Sequence, residues 1–227
     1  AWGDISPSII IEGAPGTGKT YLARQVGEVL GKDNSVITSF ADWQSSDKGH
    51  LGTLIKAMKG SFEEARNKAP CILFIDEIDS LSSRENEGHG NNDSYWRGLI
   101  NAFLAEMDIS TMEGVLVIGA CNDVSGIDPA ILRDGRFDET LYMELPGPEF
   151  IAQILQNKLP DLNPDDIANT ARMLTGETPA AIDGAVRKMK AECRRKKTEF
   201  SLTALEERLL PDPVSSTPLT LPPTHHG

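Results

Sequence analysis

The sequence predicts an α/β domain in which helices cover both faces of a parallel sheet, followed by a small helical domain. Through the first two-thirds of the chain, short apolar runs alternate with amphipathic helical stretches. After Gly147-Pro148 the helical patterns continue without a strand pattern. We therefore predict an α/β domain over residues 1–147, a helical lid domain over 148–210, and a disordered Pro/Ser/Thr-rich tail over 211–227.

Five apolar runs predict the strands of the sheet. The third and fourth are almost continuously apolar, which is typical of strands buried on both faces of a parallel sheet. Between the second and third strands, apolar residues recur on one face of Leu51–Ala69, and Pro70 ends that helix. A similar pattern through Trp96 and Met107 predicts another helix. The predicted strands are Ser8–Glu12, Ser35–Phe40, Cys71–Asp76, Val115–Cys121 and Thr140–Leu145.

Three helices are predicted in the second domain. Thr178 is the expected N-cap of the last, and Pro179 its first residue. The predicted helices are Phe150–Leu159, Pro164–Leu174 and Pro179–Lys197.

The charge of the chain is unevenly distributed. The sequence has 34 acidic and 22 basic residues, a net charge of −12. Residues 1–147 hold 23 acidic and 12 basic residues, or −11, which leaves −1 for the remainder. A protein that neutralises phosphates along a duplex needs a basic face, so the charge disfavours nucleic acid as a partner of the first domain.

The spacing of the cysteines and the length of the apolar runs indicate the cellular location of the protein. Cys71, Cys121 and Cys193 form no C-x-x-C pair, so we expect reduced thiols rather than disulfides or a zinc ribbon. No apolar run approaches the roughly 20 residues that span a bilayer. The sequence therefore predicts a cytoplasmic location and no membrane partner for this stretch.

The most specific motif is GAPGTGKT, from Gly13 to Thr20, which fits G-x-x-x-x-G-K-T between a predicted strand and a predicted helix. Glycines let successive backbone N–H groups point at phosphates, and the helix N-terminus favours negative charge. Lys19 is expected to reach the β- and γ-phosphates, and the Thr20 hydroxyl to bind Mg²⁺. The motif predicts a P-loop NTPase fold.

A second motif, CILFIDEID, places two carboxylates where the third strand ends. Ligands bind at the carboxyl ends of strands in open α/β sheets. Asp76 is expected to hold Mg²⁺, and Glu77 to act on the water that attacks the γ-phosphate. Together the two motifs predict hydrolysis rather than binding alone.

With these motifs in order, the chain resembles the AAA ATPases over nearly all of residues 5–197. The resemblance implies that Asn122, at the end of the fourth strand, contacts the γ-phosphate and the water. In the subgroup with a second region of homology, DPAILRDGRFD would supply Arg133 and Arg136 as arginine fingers that act on the neighbouring subunit's nucleotide. The family resemblance further implies Mg-ATP as ligand and a homo-hexamer. It also implies nucleotide contacts from Gly13, Ala14, Pro15, Gly16, Thr17, Gly18, Lys19, Thr20 and Tyr21.

The lid matches the family less closely. Pro179-Ala180 stands where the subgroup has a Gly-Ala pair against the ribose, so Ala180 is the expected contact. Arg187 is the candidate for a sensor arginine of other AAA+ branches. The alternative is that Arg187 belongs to a solvated basic face of the last helix.

For a polypeptide substrate, the resemblance points to a pore loop. The family's aromatic–hydrophobic–Gly position holds His50, Leu51 and Gly52. Trp43, a few residues earlier, is an alternative aromatic grip, or else packs against the edge of the sheet.

Within the family, EEARNKAPCILFIDEID most resembles the membrane-anchored AAA zinc metalloproteases of the FtsH type. Such enzymes need H-E-x-x-H for zinc, and the four histidines of this sequence do not form it. We expect an ATPase module without protease activity that remodels or unfolds proteins. A nucleic-acid-directed AAA+ motor and a nucleotide-dependent scaffold without turnover remain the alternatives.

Overall fold

A computed structural model of the protein describes residues 8–31, 34–45, 51–81, 93–133, 135–137 and 139–210. Contacts divide the chain into two compact units, Ala1–Glu144 and Leu145–Gly227. The described part of the first unit contains strands and helices, whereas that of the second contains helices alone.

The first unit is built on a five-stranded sheet in which every pairing is parallel. The order across the sheet is β2-β3-β4-β1-β5. The strands are β1 Ser8–Glu12, β2 Ser35–Ser39, β3 Cys71–Asp76, β4 Val115–Cys121 and β5 Glu139–Tyr142. The predicted five-stranded parallel sheet is confirmed.

Four α-helices flank this sheet in the described residues. They are α1 Lys19–Leu30, α2 Phe40–Ser45, α3 Leu51–Asn67 and α4 Asp93–Met112. The second strand ends one residue before its predicted limit because the Ser39 hydroxyl accepts the Asp42 N–H, at 3.1 Å, and a helix begins at Phe40. The sequence pattern does not predict α2, since six residues are too few to show a helical period.

Alternate residues of the central strands enter two different cores. On β3, Leu73 and Ile75 pack with α3 and α4, while Ile72 and Phe74 pack on the opposite face with Ala23 of α1. All four of these β3 side chains are buried. Burial on both faces is the reason that the strand reads as a continuous apolar run.

Trp43 belongs to the first of these cores. Its side chain is 2% exposed, lies edge-on to Phe40, and donates a hydrogen bond from Nε1 to Ser61 Oγ at 3.0 Å. An indole whose apolar rings are enclosed and whose N–H is satisfied is a packing residue. The expectation that Trp43 grips substrate is corrected in favour of the packing alternative.

The second unit has four helices in its described residues: α5 Pro148–Lys158, α6 Pro164–Met173, α7 Pro179–Lys196 and α8 Leu202–Leu209. The predicted N-cap of α7 is present, since the Thr178 hydroxyl accepts the Ala181 N–H at 3.2 Å. The sequence pattern does not predict α8, whose eight residues include a single buried one, Leu205. The predicted tail, residues 211–227, lies outside the described residues.

None of the described helices combines the length and the apolar character that crossing a bilayer requires.

Candidate functional site

The candidate site lies at the carboxyl ends of three neighbouring strands. In the sheet, β3, β4 and β1 are adjacent and parallel, so their carboxyl ends meet at one edge. The glycine-rich loop follows β1, Asp76 ends β3, and Asn122 follows β4. Residues far apart in the sequence are therefore brought together, as expected for this kind of sheet.

The glycine-rich loop has a backbone that only glycine adopts readily. Gly16 has φ 82° and Gly18 has φ 108°. A Cβ at Gly13 would lie 2.7 Å from the carbonyl oxygen of Met143, so this position also has no room for a side chain. Within the described residues, no side-chain cap is present at the N-terminus of α1, which begins directly after Gly18. The first N–H groups of a helix have no partner within the helix, and uncapped helix ends of this kind bind anions.

Lys19, the charged residue of the loop, is buried, with 8% of its surface exposed. Its Nζ donates to Gly13 O at 2.6 Å, Ala14 O at 3.2 Å and Asn122 Oδ1 at 3.1 Å. These three acceptors, which are two backbone carbonyl oxygens and one side-chain amide oxygen, carry no charge. An ammonium group removed from water without a counter-charge is costly unless an anion joins it. The loop is therefore matched to a negatively charged ligand.

Thr20 and Asp76 meet beside the loop. The Thr20 hydroxyl donates to Asp76 Oδ2 at 2.6 Å, and Asp76 Oδ1 accepts the Glu77 N–H at 3.0 Å. A hydroxyl and a carboxylate side by side are the oxygen donors that Mg²⁺ takes when nucleotide phosphates complete its shell. The described residues contain no group of three or more His, Cys, Asp or Glu side chains suited to a metal.

Glu77 has a left-handed backbone, with φ 57°. A non-glycine residue in this region carries strain of about 1–3 kcal/mol, and such strain is concentrated at functional sites. The Glu77 N–H donates to Asp76 Oδ1, and the Glu77 carbonyl accepts the Ser80 N–H at 3.0 Å, so hydrogen bonds on both sides of the residue hold the conformation. The residue is exposed, which leaves its carboxylate in reach of solvent water.

Asp79 bonds to Asn122, the predicted sensor, and the sequence motifs do not predict this contact. Its Oδ2 accepts the backbone N–H of Asn122 at 3.2 Å. Burial raises the pKa of the adjacent Cys121 thiol to about 12, and the carboxylates of Asp79 and Glu12 add to the rise. The sequence signal for this contact is the third carboxylate in DEID. The motif alone does not show that this carboxylate bonds to the residue that follows the fourth strand.

The two predicted arginine fingers lie in different surroundings. Arg136 donates from Nη1 to Ala130 O at 2.9 Å, and its Nε lies 3.4 Å from Asp108 on α4. Arg133 is exposed. Within the described part of the chain, neither arginine bonds to the glycine-rich loop.

The other predicted site residues belong to α3, to the second unit, or to a stretch outside the described residues. His50 lies outside the described residues, and Leu51 and Gly52 form the first turn of α3, where Leu51 packs partly buried against the core. In the second unit, Ala180 is exposed in the first turn of α7. Arg187 is 77% exposed, 3.8 Å from Asp183.

Comparison with known proteins identifies the family. The model for the ATPase family associated with various cellular activities (AAA) matches residues 9–145. This range includes the glycine-rich loop, the ends of β3 and β4, and the segment that carries Arg133 and Arg136. This chain belongs to the AAA family of ATPases. The P-loop α/β fold predicted from its motifs is confirmed.

Curated relatives of this AAA chain include proteases. It is 35% identical over 79% of its length to ATP-dependent zinc metalloprotease FtsH 2 of Methylacidiphilum infernorum, and 40% identical over 66% to FtsH 1 of Symbiobacterium thermophilum. It is also 33% identical over 69% to the mitochondrial inner membrane i-AAA protease supercomplex subunit YME1 of Saccharomyces cerevisiae. The matches span 28%, 25% and 20% of those proteins. The predicted similarity to FtsH-type ATPase modules is confirmed.

Proposed function

We propose that this AAA chain binds and hydrolyses Mg-ATP and, as a ring oligomer, uses the energy to remodel or unfold polypeptides. The observation that carries the proposal is the enclosed Lys19, which has neutral oxygens around it in a loop shaped to receive an anion. The names of the relatives, which describe ATP-dependent proteases, support a polypeptide substrate.

Nucleotide binding would use the backbone more than side chains. The N–H groups of Gly16, Gly18 and the first turn of α1 would bind phosphate oxygens. Lys19 would exchange its contacts with carbonyl oxygens for phosphate, gaining a full counter-charge. Tyr21, 66% exposed on α1, and Ala180 would contact the nucleotide outside the phosphates.

Hydrolysis would depend on a bound metal ion and on the side chains of Glu77 and Asn122, which follow the ends of β3 and β4. Mg²⁺, held by Thr20 and Asp76, would neutralise phosphate charge. Glu77 would accept a proton from the attacking water, and the Asn122 amide would orient that water.

Arg133 and Arg136 would complete the site of a neighbouring subunit. A guanidinium presents a rigid fork of donors to the charge that develops on phosphoryl oxygens. A residue that acts in trans makes activity depend on assembly, and we propose a homo-hexamer. His50, Leu51 and Gly52 would then face the central pore and contact polypeptide.

The deciding experiment is the substitution Glu77→Gln. Turnover of ATP should fall by at least about 100-fold because the proton acceptor is lost. Binding of Mg-ATP should persist, since the loop, Lys19 and Thr20 are intact. Steady-state phosphate release and equilibrium binding of a fluorescent ATP analogue measure the two properties.

Glu63→Gln on α3 is the matched control, because Glu63 is an exposed carboxylate away from the strand ends. It should hydrolyse ATP at the wild-type rate. Equal loss in both variants would refute the assignment of Glu77. ATP binding without phosphate release by the wild-type chain, at any protein concentration, would favour the scaffold alternative.

One feature favours a second candidate, a nucleic-acid-directed motor. On α7 the exposed residues Arg187, Lys188, Arg194 and Arg195 share one helical face, so the second unit has a local basic surface that the net charge conceals. Stimulation of ATPase activity by single-stranded or duplex nucleic acid, weakening steeply with salt, would support this candidate.

A further inference from the structure

Asp79 joins the two elements that carry the proposed water-binding groups. It lies in the 3₁₀ turn Ile78–Leu81, which directly follows Glu77. Its Oδ2 accepts the backbone N–H of Asn122, at the carboxyl end of β4, at 3.2 Å. This hydrogen bond connects positions that are distant in the sequence and places Glu77 and Asn122 on either side of one short bridge.

A second, apolar contact fixes the same junction. Ile78 is fully buried, and its Cδ1 would lie only 3.0 Å from a Cβ at Gly119 of β4. The turn therefore packs directly on the backbone of the strand, and glycine is what permits this approach. Ile78 holds the turn against the strand, while Asp79 holds Asn122, the residue that directly follows the strand.

The polar contact acts closer to the chemistry. Asn122 uses its backbone N–H to reach Asp79 and its side-chain Oδ1 to accept from Lys19 Nζ at 3.1 Å. A fixed backbone limits the positions open to the amide group. Loss of the Asp79 bond would remove the described side-chain contact that fixes the Asn122 backbone N–H.

We propose that Asp79 is a positioning residue for ATP hydrolysis, which sets the distance between Glu77 and Asn122. The inference rests on the proposed function of those two residues. Asp79 would act through the Asn122 backbone, not on the nucleotide itself. Reactions between held groups are sensitive to such distances, since a displacement of about 1 Å can cost roughly 100-fold in rate.

The test compares Asp79→Ala with Asp79→Asn in the full chain. Asp79→Ala should lower kcat for Mg-ATP by about 10- to 100-fold while KM changes less than about twofold, because the phosphate-binding loop is untouched. Hydrogen exchange of the Asn122 amide, followed by NMR, should accelerate. Asp79→Asn keeps an acceptor oxygen at the same place, so its kcat should return to within about threefold of wild type.

Asp123→Ala is the matched control. Asp123 directly follows Asn122 in the chain, and its carboxylate accepts the Ser125 N–H at 2.8 Å. The variant loses a local carboxylate–backbone hydrogen bond of the same kind without touching the Asn122 N–H. It should keep the wild-type kcat and KM.

Three results would overturn the inference: wild-type kcat in Asp79→Ala, equal damage in Asp79→Asn and Asp79→Ala, or the same loss in Asp123→Ala. If the wild-type chain does not hydrolyse ATP, the proposed function fails by itself. Amide exchange still decides the Asp79 contact in that case, because unchanged exchange at Asn122 in Asp79→Ala would refute it without any turnover measurement.

Discussion

The carboxyl edge of the sheet and the arginine segment that follows β4 differ in how their polar side chains are arranged. At the sheet edge, functional groups contact one another: Lys19 bonds to Asn122, and Thr20 bonds to Asp76. In the arginine segment, Arg136 bonds instead to Asp108 and Ala130, which have no part in the proposed chemistry.

This difference indicates which part of the proposed site one chain can assemble alone. The sheet edge forms from strands of a single domain, and its groups are already within hydrogen-bonding distance. The arginine segment places a guanidinium in a half-exposed ion pair, which water and salt weaken. An arginine in such a pair would be available to a stronger anion on a neighbouring subunit, as the proposed action in trans requires.

The largest expected effect is that of Arg136→Ala. Turnover at saturating ATP should fall by about 1,000-fold, since an arginine finger contributes at least that factor. Affinity for ATP should stay near wild type because the sheet edge is intact. Phosphate release, measured at protein concentrations where oligomers are seen by mass photometry, tests this.

Mixing variants locates the arginine's site of action. Oligomers formed from Arg136→Ala and Glu77→Gln chains contain some interfaces with an intact arginine and an intact carboxylate. The mixture should therefore regain activity that neither variant has alone. Wild-type turnover in Arg136→Ala, or no recovery on mixing, would show that Arg136 does not act in trans.

An intermediate effect is expected in thiol chemistry at the sheet edge. The thiolate is the reactive form, and burial raises the pKa of Cys121 to about 12, so this thiol stays protonated at pH 8. Cys193, in α7 of the second unit, is partly exposed. Iodoacetamide at pH 8 should therefore label Cys121 at least about 100-fold more slowly than Cys193, as followed by peptide mass spectrometry.

The sign of the pH dependence sharpens this measurement. Labelling of Cys121 should keep rising with pH up to the limit of folding, because its folded pKa lies above the usual value. Comparable labelling of Cys121 and Cys193 at pH 8 would mean that the sheet edge opens readily in solution, which would remove the contrast with the arginine segment.

The smallest effect is expected for Asp108→Asn. The Asp108 and Arg136 side chains are 48% and 25% exposed, and exposed ion pairs contribute about 0–1 kcal/mol. Turnover and thermal stability should stay close to wild type, with turnover changed by less than about threefold. A loss as large as that of Arg136→Ala would assign to this arginine a structural role within its own subunit.

The elements that the sequence predicted well are those with strong local or periodic signals. β3 was found with its limits because it is apolar on both faces, and α3 because its apolar residues follow the helical period. The two missed helices, α2 and α8, are short, at six and eight residues. A period of 3.6 residues is barely sampled over such lengths.

Trp43 shows the limit of arguing from composition. An aromatic residue in a polar stretch suits a surface contact and a core position equally well until its neighbours are known. Phe40, Phe103 and Ser61 enclose it, and these come from three different helices.

By itself, the sequence determined the P-loop, the carboxylates that end β3, and the AAA family, because these depend on residues adjacent in the chain. Tertiary structure alone decided the partners: Asn122 with Lys19, Asp79 with the Asn122 backbone, and Asp108 with Arg136. These pairs arise from strand order and helix packing, which bring together residues up to 103 positions apart. A hydrogen bond depends on distances of a few tenths of an ångström, and no motif spacing specifies those across separate strands.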